Sequence, residues 1–363
     1  NGGTGSKSGG PGTVYYEAAT PRPRLVYRSV SPGETLLSEE LAFDGDLFVQ
    51  ESTTLSHPAG IMPGLSVIVT GDLSIDVTSR IDASGKGFGS GEGPGAGTAS
   101  WTGPMYASAG SHGGSGVSST AGPAGVIYGS ATMPTTFGSG GGANPFSSNA
   151  LGGAGGGVVR LLVGGTLSVT GRIYANGSVG VNNAGSGAGG SIVIDAGTLS
   201  GNGQIWARGG DSWFGDRPAG GGGRIAFLRS TSGFTGSILA NGGSGSTNGG
   251  PGTVYYEAAT PRPRLVYKSV SPGTNTFAEP FEFDGDVLLQ EGTIFTHPAG
   301  VLPGLSVSVT GDLSIDVTSR IDVSGMGFAS GEGPGAGIPS WDASTYASAG
   351  SHGGSGVSST AGP

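Results

Sequence analysis

Acidic and imidazole side chains are where chemistry would start in this chain. Asp44 and Asp46 sit two apart in FDGD, and Asp72, Asp76 and Asp82 follow across the next apolar stretches. Carboxylates converging on one groove serve general acid–base cleavage of a polysaccharide, and clustered oxygens suit a hard cation such as calcium. Both readings require these carboxylates to meet on one face of neighbouring turns of chain. Solvated turn and strand-edge carboxylates are the plainer expectation, and Asp44 with Asp46 alone makes a weak cation site. His57 and His112 recur as His297 and His352. No cysteine and no tight His/Asp group accompanies them. Serine is so common here that a His-Ser-Asp grouping carries no information. PGTVYY and the GGxGG strings are not phosphate loops, because no helix start or lysine follows them. The chain is therefore read as a non-enzyme that calls for no cofactor and no metal.

Apolar and aromatic residues at fixed spacing are the stronger signal. Ile173-Tyr174-Ala175, Ile205-Trp206-Ala207 and Ile238-Leu239-Ala240 recur 32 and then 33 residues apart. Each sits in a short run of alternating character, which reads as a strand with its outer residues turned inward. Tyr174, Trp206 and Leu239 then project from the other face, stacked at about the 4.8 Å spacing of neighbouring strands. Such an outward apolar strip is either covered by a Gly-rich loop or is a lateral or glycan contact. Trp213 in the next loop is a further candidate contact. Asn176-Gly177-Ser178 is a possible glycosylation site, and the corner-turning use of Asn explains it equally well. After each of these strands comes Ala-Asn-Gly, Ala-Arg-Gly or Ala-Ser-Gly, where positive φ at Gly or Asn would turn a corner.

The elements that position these residues repeat on two scales. Residues 1–123 recur without a gap as 241–363, so the chain holds one and a half copies of a 240-residue unit. The organisation expected is a first tandem unit over 1–240 and the first half of a second over 241–363, in one continuous structure. Swaps between copies exchange apolar residues of similar size, as a packed interior tolerates: Leu55 becomes Phe295 and Met62 becomes Leu302. Within the unit, a Gly-led strand such as Gly190-Ser191-Ile192-Val193-Ile194 follows each Gly-rich stretch. One coil per roughly 30 residues follows from this rhythm, each coil pairing with the next. Residues 85–157 break the rhythm and read either as disordered or as an irregular lid; the identity of 106–123 with 346–363 favours an ordered lid. Residues 15–69 read as two further coils. The chain starts and stops in mid-pattern, as a window on something longer would.

Composition narrows the classes. The 79 Gly and 22 Pro make up about 28% of 363 residues, a low-complexity share. Charged residues are only 11%, so charge repulsion does not hold the chain open. Gly is not at every third position overall, which excludes collagen. The net charge of −9 and scattered basic residues disfavour nucleic acid and anionic membrane. No apolar run is long enough to span a membrane.

The strings TLSVTGRIYANG, GGSIVIDAGTLSGNGQIWARGG and GGGGRIAF, with FDGDLFV and LSVIVTGDLSID upstream, resemble the Gly-rich tandem repeats of giant bacterial cell-surface and secreted proteins. The resemblance covers almost the whole chain. It implies an all-β fold, a right-handed parallel β-helix (β-solenoid) of pectate-lyase-like architecture with long Gly-rich loops. It implies an extracellular or cell-surface location and a structural role as a repeat of a filament or stalk. Its partners would be neighbouring repeats or other copies of the chain. The alternatives are an adhesin or carbohydrate-binding surface and, more remotely, a polysaccharide lyase or hydrolase.

Overall fold

Alternating apolar residues in short runs give strands, and Gly between them lets the chain return close beside itself. The computed structural model describes residues 10–17, 22–29, 31–101, 105–146, 150–212, 217–340 and 347–357. These form an all-β structure whose sheets are mostly parallel. The main sheet has 14 strands. Within it Leu47 faces Leu73, Leu73 faces Leu167, and Leu167 faces Leu199. In a second, six-stranded sheet Leu55, Ile81, Ile173, Ile205 and Ile238 line up in the same way. The first four of these are fully buried, and Ile238 packs on the same core. The expected alternation holds: Ile173 and Ala175 face inward, as do Ile205 and Ala207.

One feature departs from purely parallel stacking. Thr253–Tyr256 pairs parallel with Arg224–Leu228 on one side and antiparallel with Arg264–Lys268 on the other. Gly12–Tyr16 and Arg24–Arg28 form the same hairpin in the first copy. Strand direction therefore reverses once per unit while the sheet runs on. The core changes face with it. Ile192, Ile194, Ile225, Phe227 and Val254 point into one core. Their neighbours Val193, Ala226, Leu228 and Tyr255 point into another, together with Leu265, Tyr267, Val287 and Leu289. The stretch 15–69 thus includes part of an antiparallel hairpin, which the reading as two further coils does not contain. The TPRPR segment between its strands follows the same sequence in both copies.

The Gly-rich stretches share a rhythm of their own, with a period of three, and segment 85–157 takes part in it. In 185–190, Gly185 and Ala188 donate to Gly142 and Ser139. Ser186 and Gly189 donate to Pro218 and Gly221, and Gly187 and Gly190 to Ser178 and Ala175. Segments 138–142, 152–157 and 107–110 join this network at the same spacing: Gly153 and Gly156 donate to Gly185 and Ala188, and Ala107 and Gly110 to Asn183 and Ser186. These stretches are neither helix nor strand. Three residues per turn without internal hydrogen bonds is polyproline II geometry. Here each turn offers its N–H groups to three neighbours, so backbone pairing comes from a bundle and satisfies buried amides. Segment 85–157 and the Gly-rich stretches that follow the short strands form one such bundle.

That packing explains the glycine content. A Cβ on Gly153 would lie 2.0 Å from the Ser178 carbonyl oxygen, and one on Gly187 would lie 2.1 Å from that of Ala154. The corner glycines follow the same rule. Gly177, Gly209 and Gly242 do not adopt positive φ; a Cβ there would meet a carbonyl at 2.1–2.2 Å. Close approach of chains, not a left-handed turn, requires Gly at those three corners. Gly85, at φ 65°, is the corner where the turn itself does.

Candidate functional site

Each of these carboxylates is engaged, either on a neighbouring strand or within its own turn. Asp46 Oδ1 accepts from the Asp72 N–H at 3.0 Å, and Asp72 Oδ1 accepts from the Thr166 N–H at 2.7 Å. Asp286 and Asp312 repeat the first of these bonds in the second copy. Asp44 accepts from the Thr70 hydroxyl at 2.6 Å. Asp76 accepts from the N–H of Glu51 at 2.8 Å and from the N–H and hydroxyl of Thr78. Partial burial pushes its carboxyl upward, but the Glu51 N–H and the Ser79 and Thr78 donors outweigh this and hold it below the usual value. Asp82 accepts from the Ser84 N–H and pairs with Arg80 at 3.3 Å. These are inter-strand and turn acceptors, charge-assisted and geometrically committed. Among the described residues no group of three or more His, Cys, Asp or Glu is placed to hold a metal ion.

The two histidines of the first copy are core residues. His57 is buried, stacks on Phe137 at 5.8 Å and donates through Nδ1 to the Pro58 carbonyl at 2.9 Å. Burial is the main cause that lowers its pKa. His112 is wholly buried. Its Nδ1 lies 2.8 Å from the Gly189 carbonyl, which can only accept, so Nδ1 carries the proton. Its Nε2 then accepts from the Thr136 hydroxyl at 2.9 Å. Burial first, then the charge of Arg224, brings its pKa down to about 3. The ring is a neutral bridge between the lid and the coil.

Arg224 completes that cluster and was not among the residues singled out from sequence. It is 4% exposed. Its Nε and one terminal nitrogen donate to the Tyr128 carbonyl at 3.1 and 2.9 Å, and the other terminal nitrogen donates to Thr253 Oγ1 at 3.2 Å. The Tyr267 hydroxyl joins it, and burial pushes that phenol up to about 12. Arg224, Thr253 and Tyr267 lie side by side on three consecutive strands, the last beyond the hairpin. The guanidinium therefore ties the lid to the junction between copies. A second tie lies close by: the Ser115 N–H donates to Asn275 Oδ1 at 3.0 Å, and the Thr276 N–H donates to Ser115 Oγ at 3.0 Å. The sequence signal was present, an arginine straight after four glycines at an outward strand position. Only the lid's path shows what covers it.

Tyr174, Trp206 and Leu239 are in register on the outer side of the second sheet, half-buried. Tyr174 and Trp206 stack at 5.1 Å with planes 19° apart. The Tyr174 hydroxyl donates to Gln204 Oε1, and Trp206 Nε1 donates to Ser237 Oγ at 3.0 Å. Arg208 sits 5.8 Å from the Trp206 ring centre. Ring faces are turned along the stack, toward neighbouring coils. Asn176 commits its side-chain oxygen to the Arg208 N–H at 2.9 Å. Trp213 lies outside the described residues. No helix among the described residues is long and apolar enough to cross a membrane.

No protein-family model, no curated protein and no solved structure matches the chain.

Proposed function

We propose that the chain is a structural repeat, winding as a right-handed parallel β-helix through both copies and serving as a segment of an extracellular filament or long surface stalk. The observation that carries this reading is the unbroken main sheet across the unit junction. Each coil offers its edge to the next, so extension needs no separate interface. Strand direction and core face reverse together at the hairpin. Those two reversals amount to a half-turn about the stacking axis, which preserves the hand that parallel crossovers favour. Seven strand-to-strand steps separate Arg24–Arg28 from its copy Arg264–Lys268. At about 4.8 Å per step this gives a unit rise of about 34 Å.

The candidate chemistry supports the same role. Asp46, Asp72, Asp76, His112 and Arg224 each bond across strands or between the Gly-rich segment and the sheet. The extracellular setting rests on the resemblance of the repeat strings to surface-protein repeats. Scattering from arrays of one to four units tests the reading. Maximum dimension should grow by about 34 Å per unit; compact particles whose dimension grows only with the cube root of mass would overturn it.

A further inference from the structure

The outer side of the six-stranded sheet gathers arginines in a chain that is acidic overall. Ile81, Ile173, Ile205 and Ile238 point inward there, so the residue on either side of each points outward. One outward row runs Arg80, Arg172, Gln204 and Ser237; the other runs Asp82, Tyr174, Trp206 and Leu239. Arg80 and Arg172 stand directly opposite each other on neighbouring strands, and both are exposed. Like charges so placed oppose the pairing of their strands. Arg80 bonds to Asp82 at 3.3 Å. Arg208 borders the face over the Trp206 ring and bonds to Asp211 at 3.2 Å. Arg172 forms no ion pair among the described residues. One uncompensated guanidinium beside a second is therefore held on a flat face of a chain with net charge −9. The strands of Arg80, Arg172 and Gln204 are paired on both edges, so this face is complete.

The second row fixes the first. The Tyr174 hydroxyl donates to Gln204 Oε1, and Trp206 Nε1 donates to Ser237 Oγ. Gln204 Nε2 and the Ser237 hydroxyl proton are left to donate outward. The row thus offers two guanidinium groups, an amide and a hydroxyl, each one strand, or about 4.8 Å, from the next. That step is close to the length of one sugar ring in an extended polysaccharide. A phosphodiester chain fits less well, because Asp82 and Asp211 lie beside the arginines it would need.

We propose that this face binds a linear acidic polysaccharide laid across the strands, with a carboxylate between Arg80 and Arg172 and hydroxyls on Gln204 and Ser237. Guanidinium meets carboxylate through paired, charge-assisted hydrogen bonds, which a point charge does not supply. The rings of Tyr174 and Trp206 stay stacked on each other and orient the polar row.

The full chain passed over immobilised alginate, a polyuronate, tests the site, with neutral dextran and single-stranded DNA as parallel columns. Retention on alginate alone, weakening as salt rises, is the result expected. Arg172→Gln and Arg80→Gln should each lower the affinity at least about tenfold. Arg172→Lys should recover part of that loss, since it keeps the charge without the fork. Both positions are exposed, so these variants should melt with the parent. No retention on alginate, equal retention on dextran or DNA, or unchanged affinity in Arg172→Gln overturns the proposal. The face needs only the six-stranded sheet, so scattering that excluded a filament would leave this result standing.

Discussion

Gly87 and Gly327 stand 240 residues apart in the same sequence setting, and only the first is enclosed. A Cβ at Gly87 would lie 2.3 Å from the Gly156 carbonyl oxygen, while nothing lies within 4 Å of one at Gly327. Neither residue has positive φ. Gly87→Ala is therefore expected to destabilise the chain by about 1–3 kcal/mol, as overpacking does. In a chain of these 363 residues Gly327→Ala should stay within about 0.5 kcal/mol of the parent. Denaturant melts of the two variants measure the difference directly.

The buried histidines predict acid sensitivity. The His112 pKa is lowered to about 3 in the fold, against an ordinary value of 6.5. The unfolded chain takes up that proton first as pH falls. Its contribution is present in full above about pH 6.5 and is lost toward pH 3, by up to about 1.4 kcal/mol per pH unit. His57 is shifted in the same direction by burial. The midpoint of urea unfolding should fall between pH 6.5 and 4. His112→Gln should flatten that slope, and an unchanged slope would show that the ring is already charged in the fold.

Arg224 is expected to act as a tether. Arg224→Met removes the donors to Tyr128 and Thr253 and leaves the part-buried Tyr128 carbonyl without them, at a cost of about 1–3 kcal/mol. Hydrogen exchange should rise first in the lid around Tyr128–Thr136, before the coil strands. Uniform exchange across the chain would mean that the lid holds without it.

Trp206→Ala should cost about 1–3 kcal/mol, because it removes a stacked ring between coils and the bond to Ser237. Trp206→Phe should recover part of that loss. If lateral bundling or sugar retention disappeared with stability unchanged, the outer strip would be a contact surface and not an inter-coil ladder.

Asp72→Asn keeps the oxygen that accepts from Thr166 and should change stability by less than about 1 kcal/mol; Asp72→Ala removes it and should cost more. A loss of activity on a pectin-like polymer in Asp72→Asn would restore the enzymatic reading.

Much of this is legible in the sequence. The inward Ile173 and Ile205 and the outward Tyr174 and Trp206 follow from period-two alternation and the 32-residue spacing. The threefold rhythm of 185–190 was hidden, because Gly, Ala and Ser leave no hydrophobic pattern and the signal lies in which backbone each N–H reaches. The hairpin was hidden for a related reason. Thr253–Tyr256 and Arg264–Lys268 alternate like any strands, and antiparallel pairing shows only in their register. Arg224 looked like one more scattered cation until the lid was seen to cover it.

The central claim is that units stack along one axis with a half-turn between them. Helical reconstruction of a multi-unit array measures rise and rotation together. A rise of about 34 Å per 240 residues, with rotation near half a turn before sheet twist is added, is the result predicted. A rise far from that value, or successive units related by translation alone, would contradict it.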